Sequence, residues 1–191
     1  MKTMAFHMLS LRRFGRDRRG ASAIEFAILA PLMLALYIGV VEISEGVAAD
    51  RKVTLTSGAL ANLTAQSQSI DVNGMNNILN AATAIMSPFT GAISAKVSCL
   101  NIDATRVAKV KWGAATANTS PRTAGSVVSI PSDLAVPNTQ LVFSEVSYQY
   151  VPVTGYIPAW SHIGAEGITL SDRMYMSPRL TPPAYNSIAC T

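Results

Sequence analysis

The chain has 191 residues, room for one ordinary domain or two very small ones. Only 14% of them are charged while 49% are hydrophobic, and mean hydropathy is +0.29, an apolar excess that a membrane segment would absorb. The net charge of +4 does not mark a nucleic-acid binder: residues 1–20 hold six basic and one acidic side chain, and the other nine basic and ten acidic residues leave no basic stripe to track phosphates.

Lys2, Arg12, Arg13, Arg16, Arg18 and Arg19 precede the longest apolar run, as cytoplasmic basic residues precede a spanning helix. From Ala21 to Val41 every residue is apolar or small except Ser22 and Glu25. At a helical rise of about 1.5 Å per residue this run spans roughly 31 Å, the thickness of a hydrocarbon core. A soluble core helix is seldom apolar on every face for so long. A secretory signal cut after Val47-Ala48-Ala49 is a rival reading. It is disfavoured because the run is too long and Glu42, Ser44 and Glu45 separate it from that point. An uncleaved signal anchor stays open.

Glu25 is the informative residue of the run. A carboxylate in hydrocarbon costs several kcal/mol unless it is protonated, snorkels or finds a partner. The simple reading is a carboxylate reaching the headgroups. A sharper one starts from Gly20: a cut after it would create an α-amino group at Ala21 and make Glu25 the fifth residue. Amine and carboxylate at a membrane face neutralise each other, most naturally between neighbouring helices. Pro31 removes one backbone hydrogen bond and should kink the helix, which membrane helices tolerate.

The stretch Arg18-Arg19-Gly20-Ala21-Ser22-Ala23-Ile24-Glu25-Phe26-Ala27, followed by Pro31-Leu32, resembles the class III leader of type IV pilin-like proteins. More closely, it resembles the TadE/TadG-like pseudopilins of tight-adherence (Flp) pilus systems. The resemblance implies that a prepilin peptidase cuts between Gly20 and Ala21 on the cytoplasmic side. It further implies that Glu25, with Phe26, guides the helix into a filament or pseudopilus. The implied partners are that peptidase, other pilins and pseudopilins, the inner-membrane assembly platform and membrane lipid. The implied place is the inner membrane, crossed once, with the N-terminus cytoplasmic and the C-terminal domain periplasmic. Tyr175-Met176-Ser177-Pro178-Arg179-Leu180 and Cys190 are similar to the ending common in these proteins. The major pilin is far shorter, so the expectation is a minor or accessory component. The alternative is an uncleaved bitopic protein whose periplasmic domain binds a ligand or partner.

The expected organisation is a basic leader over 1–20, a membrane helix over 21–41, a helical periplasmic segment over 42–90 and a β-rich periplasmic domain over 91–191. No proline interrupts Glu42 to Gln68, where Ala48, Leu55, Ala59 and Leu63 form an apolar stripe expected to pack on its own domain. The chain turns near Ser69-Ile70-Asp71, and Asp71 or Asn73 can cap a second helix. Met75, Ile78, Leu79, Ala82, Ile85 and Met86 give that helix an apolar face, ended by Ser87-Pro88.

Strand alternation follows. Ile93, Ala95, Val97 and Cys99 predict one strand with Cys99 facing inward, and Ala108, Val110 and Trp112 a second. Residues 113–126 read as an exposed loop. Val142, Val146, Tyr148 and Tyr150 predict a third strand. Ile168, Leu170, Met174 and Met176 predict a fourth. Between these two, Val151 to Gly167 reads as a long connection with a helical turn at Ala159–Ile163, where Tyr156, Ile157 and Trp160 cover the core or form a contact patch. Helices followed by strands predict an α+β fold with an antiparallel sheet in the manner of pilins. Cys99 and Cys190 are expected to pair outside the cytoplasm; in a cytosolic protein they would be two small buried hydrophobes.

No active site is legible. His7 and His162 stand apart, which disfavours a metal. The acidic residues Asp50, Asp71, Asp103, Asp133 and Asp172 lack calcium-loop spacing, and no phosphate loop, dinucleotide fingerprint or nucleophile elbow occurs. The expectation is a structural and interaction protein with no cofactor, not an enzyme.

Overall fold

A computed structural model describes residues 19–152 and 167–191. The basic segment expected as a leader, apart from Arg19 and Gly20, therefore lies outside the described residues, as do His7, Tyr156, Ile157, Trp160, His162 and the turn expected at Ala159–Ile163. The chain falls into two compact units, Met1–Ser44 and Glu45–Thr191.

The described part of the first unit is helix throughout. It belongs to α1, Arg19–Gln66, which is long and apolar enough to cross a membrane once. Ile24, Phe26, Ile28, Met33 and Tyr37 are all exposed. Such a surface is stable in hydrocarbon and unstable in water.

The second unit is α+β. After the remainder of α1 come β1 (Ser69–Ile70), α2 (Val72–Met86), β2 (Ile93–Ile102), β3 (Ala108–Ala115), β4 (Val127–Val128), β5 (Gln140–Tyr150), β6 (Ile168–Met176) and β7 (Ala184–Tyr185). The main sheet has the order β4-β3-β2-β5-β6 and is antiparallel throughout, while β1 and β7 form a separate parallel pair. Asp71 caps α2 by accepting from the Gly74 N–H at 2.8 Å. The helix then buries Met75, Leu79, Ala82 and Met86, the apolar face read from their spacing.

Both helical segments share one core with one face of the sheet: Ile93, Ala95, Val97 and Cys99 of β2, Trp112 and Ala114 of β3, and Val142, Val146, Tyr148 and Tyr150 of β5. Here α1 corrects one expectation. The stripe Ala48, Leu55, Ala59 and Leu63 does not pack on its own domain: Leu55 is 65% exposed and Leu63 39%. The buried face is instead Ala49, Val53, Leu60, Ala61 and Ala65, together with Thr56, Ser57 and Thr64. Small side chains let a helix lie close to a sheet, and the Thr56 hydroxyl satisfies itself on the Lys52 carbonyl at 2.7 Å. A face so rich in hydroxyls carries little hydropathy, which is why the brighter stripe misleads.

The second strand holds another correction. Its alternation predicts one face for Ala108, Val110 and Trp112. Cys99 pairs with Trp112 but Leu100 pairs with Val110, so Lys111 is a bulge that reverses the faces. Trp112 joins the helix-side core, whereas Ala108 and Val110 join Leu100, Ile102, Val128, Leu141 and Phe143 in a second cluster on the far face. The segment expected as a loop over 113–126 begins inside β3 and then returns across that far face.

Candidate functional site

Gly20 and Ala21 lie in the first turn of α1, with Glu25 and Phe26 in the next turn. All four are exposed, and among the described residues a Cβ built on Gly20 would meet no atom within 4 Å beyond its chain neighbours and its own helix backbone. Ala21 and Glu25 are separated by four residues, so they sit one above the other on the same helix face. Glu25 is the sole charged side chain from Gly20 to Val41. Pro31 lies inside the helix, where it cannot donate to the Ala27 carbonyl. The structure thus places Gly20, Ala21, Glu25 and Phe26 together on one short stretch of exposed helix.

The C-terminal ending is sewn to the second unit at several points. The Arg179 N–H donates to the Ala65 carbonyl at 3.0 Å, and its guanidinium donates to Asn62 Oδ1 at 2.9 Å. Trp112 Nε1 donates to the Pro183 carbonyl at 2.9 Å. β7 then pairs with β1, and Cys190 forms a disulfide with Cys99, their Cα atoms 5.9 Å apart. Both cysteines are fully buried, Cys99 facing the core as its alternation requires.

On the far face of the sheet Arg122 makes two charge-assisted bonds to Glu145, at 2.5 and 2.8 Å, and lies 5.4 Å from the centre of the Phe143 ring. The Glu145 carboxylate raises the pKa of Arg122 further above its ordinary value. Phe143 stacks on Tyr175 with ring centres 4.7 Å apart. Gly113 makes this possible: a Cβ there would stand 2.9 Å from the Arg122 carbonyl oxygen. None of this was legible beforehand, since Arg122 lay in a stretch read only as loop.

Among the described residues no three His, Cys, Asp or Glu side chains gather to hold a metal. The polar features just described bind the chain to itself, and the stretch Gly20–Val41 is left with an exposed apolar surface and one charge, Glu25.

A family comparison agrees on where the informative segment lies. Residues 20–59 match the model of the family described as TadE-like protein. Neither a curated protein nor a solved structure matches the chain. The match begins at Gly20, covers the apolar helix and Glu25, and ends on the part of α1 that lines the domain core. Over this segment, residues 20–59, the chain is similar to TadE-like proteins.

Proposed function

We propose that the chain is a minor pseudopilin or accessory subunit that helps assemble a tight-adherence pilus. One observation carries the reading: the family match starts at Gly20 and takes in the exposed apolar stretch Gly20–Val41, whose one charge is Glu25. In this reading a prepilin peptidase cuts between Gly20 and Ala21. The freed amine at Ala21 and the Glu25 carboxylate then form a charge-neutral pair at the membrane face. Such a partner, on its own helix or a neighbour's, stabilises Glu25 there. Docking of other pilus subunits is thereby coupled to insertion at the correct depth. Pro31 shapes the same helix for lateral packing. The N-terminus faces the cytoplasm and the domain faces the periplasm, where an oxidising environment maintains Cys99–Cys190.

The role of Glu25 has a direct test. Glu25→Ala should leave membrane insertion intact, since it removes the one charge from the run, while pilus assembly falls. Fractionation measures the first and filament counts by electron microscopy the second. Normal piliation by the variant would remove Glu25 from assembly. The uncleaved bitopic alternative predicts that result, because an anchor requires only the basic flank and the apolar run.

A further inference from the structure

The helix α2 carries no charged residue, although half of it faces solvent. Surface helices ordinarily cover that face with Lys and Glu. Here Asn76, Asn80 and Thr83, spaced at helical turns, present one wall of a groove with a cavity volume of about 720 Å³. The opposite wall is Thr116 to Asn118, held to β2 by the Ala95 N–H donating to Thr116 Oγ1 at 3.1 Å and by the Asn118 amide donating to the Ile93 carbonyl at 3.3 Å. Thr90 and Gly91 close one end. Leu79, Ile93 and Ala115 supply an apolar floor.

Three properties narrow what fits. The lining holds no ionisable side chain, so nothing there would compensate a buried charge on a ligand. The side chains of Asn76, Asn80, Thr83 and Thr90 make no hydrogen bond to the described residues, leaving their donors and acceptors unspent. An apolar ligand would strip water from those groups without replacing its bonds. Each Asn offers an acceptor and two donors side by side, the pattern that pairs with vicinal hydroxyls. The volume lies within the range of small-ligand sites, and a concave site with three walls suits a compact ligand better than a flat protein face.

We propose that this groove binds a neutral, hydroxyl-rich ligand: a one- or two-ring sugar unit whose C–H face rests on Leu79 and Ile93 while Asn76 and Asn80 take its hydroxyls. The proposal holds whether or not the N-terminal leader is cut.

The test uses the full chain in phosphatidylcholine nanodiscs, prepared without sugar-based detergent. Saturation-transfer NMR is recorded with millimolar glucose, N-acetylglucosamine, maltose and cellobiose, and with glucuronate and glucosamine as charged counterparts. At least one neutral sugar should receive saturation, with the charged ones weaker. Asn80→Leu should lower affinity about tenfold, the effect of losing one well-formed hydrogen bond. Asn80→Asp, nearly isosteric, should also weaken binding and serves if the leucine variant misfolds. Asn73→Leu, on the same helix but outside the groove, should bind normally. No transfer from any neutral sugar, equal transfer to the charged ones, or binding unchanged in both Asn80 variants would overturn the proposal. A loss of protein partners in Asn80→Leu without any sugar binding would overturn it too, assigning the face to a protein.

Discussion

Lys52 of α1 caps α2: its ammonium donates to the carbonyl oxygens of Ile85, at 2.9 Å, and Ser87, at 2.5 Å. The last turn of α2 contains no basic residue of its own, so the cation that its carbonyls favour comes from another helix. Lys52 lies within the segment that matches the TadE-like family. That segment therefore supplies part of the domain's scaffold as well as a stretch of helix long and apolar enough to cross a membrane.

Lys52→Met keeps the length of the stem and removes the donor. It should destabilise the domain by about 1–2 kcal/mol, the worth of a charge-assisted bond at a helix terminus. Thermal unfolding followed by circular dichroism measures this, and an unchanged midpoint would show that the cap contributes nothing.

The Cys99–Cys190 bond closes a separation of 91 residues and secures the segment that also carries β7. Replacing Cys190 by Ser should cost about 2–5 kcal/mol, because so long a loop regains much freedom in the unfolded chain. Denaturant unfolding measures the loss. Thiol labelling of the unreduced, unfolded wild-type chain should find no free cysteine.

Asp103 gives a pH-dependent signature. The Thr105 hydroxyl and then the Val107 N–H bond its carboxylate, lowering its pKa from 3.8 to about 2. A group depressed on folding stabilises above its unfolded pKa, and that contribution is lost as pH falls from 3.8 through about 2. Carboxyl NMR should place the Asp103 midpoint near the lower value. The Asp103→Asn variant should lack that segment of the stability curve. A midpoint at 3.8 would mean the turn does not hold the carboxylate.

Much of this fold was legible wherever a pattern ran long enough. Ile168, Leu170, Met174 and Met176 recur at every second position save Asp172 and form β6 over that range, and Cys99 faces inward as its neighbours require. The resemblance to the TadE-like family could be read because charge, glycine and an apolar run stand together from Arg18 onward. Other features escaped for physical reasons. The core face of α1 is built on Thr56, Ser57 and Thr64, whose hydroxyls mute its hydropathy. The bulge at Lys111 reverses an alternation that looks unbroken. Pairs as short as Val127–Val128 hold too few residues to make a pattern. The groove beside Asn80 draws on three separate stretches, although four asparagines and no charge within Val72–Met86 were a visible sign.

The central claim is that α1 is a processed assembly helix, and the most direct measurement is the N-terminus of the protein isolated from membranes that contain the matching prepilin peptidase. Intact-mass spectrometry should give a chain beginning at Ala21, with Gly20→Arg leaving the chain uncut. A side chain at Gly20 meets no described atom within 4 Å, so that block would reflect recognition rather than misfolding. A wild-type chain that always begins at Met1 would contradict the account, and one that begins at Asp50 would remove the membrane helix from the working protein.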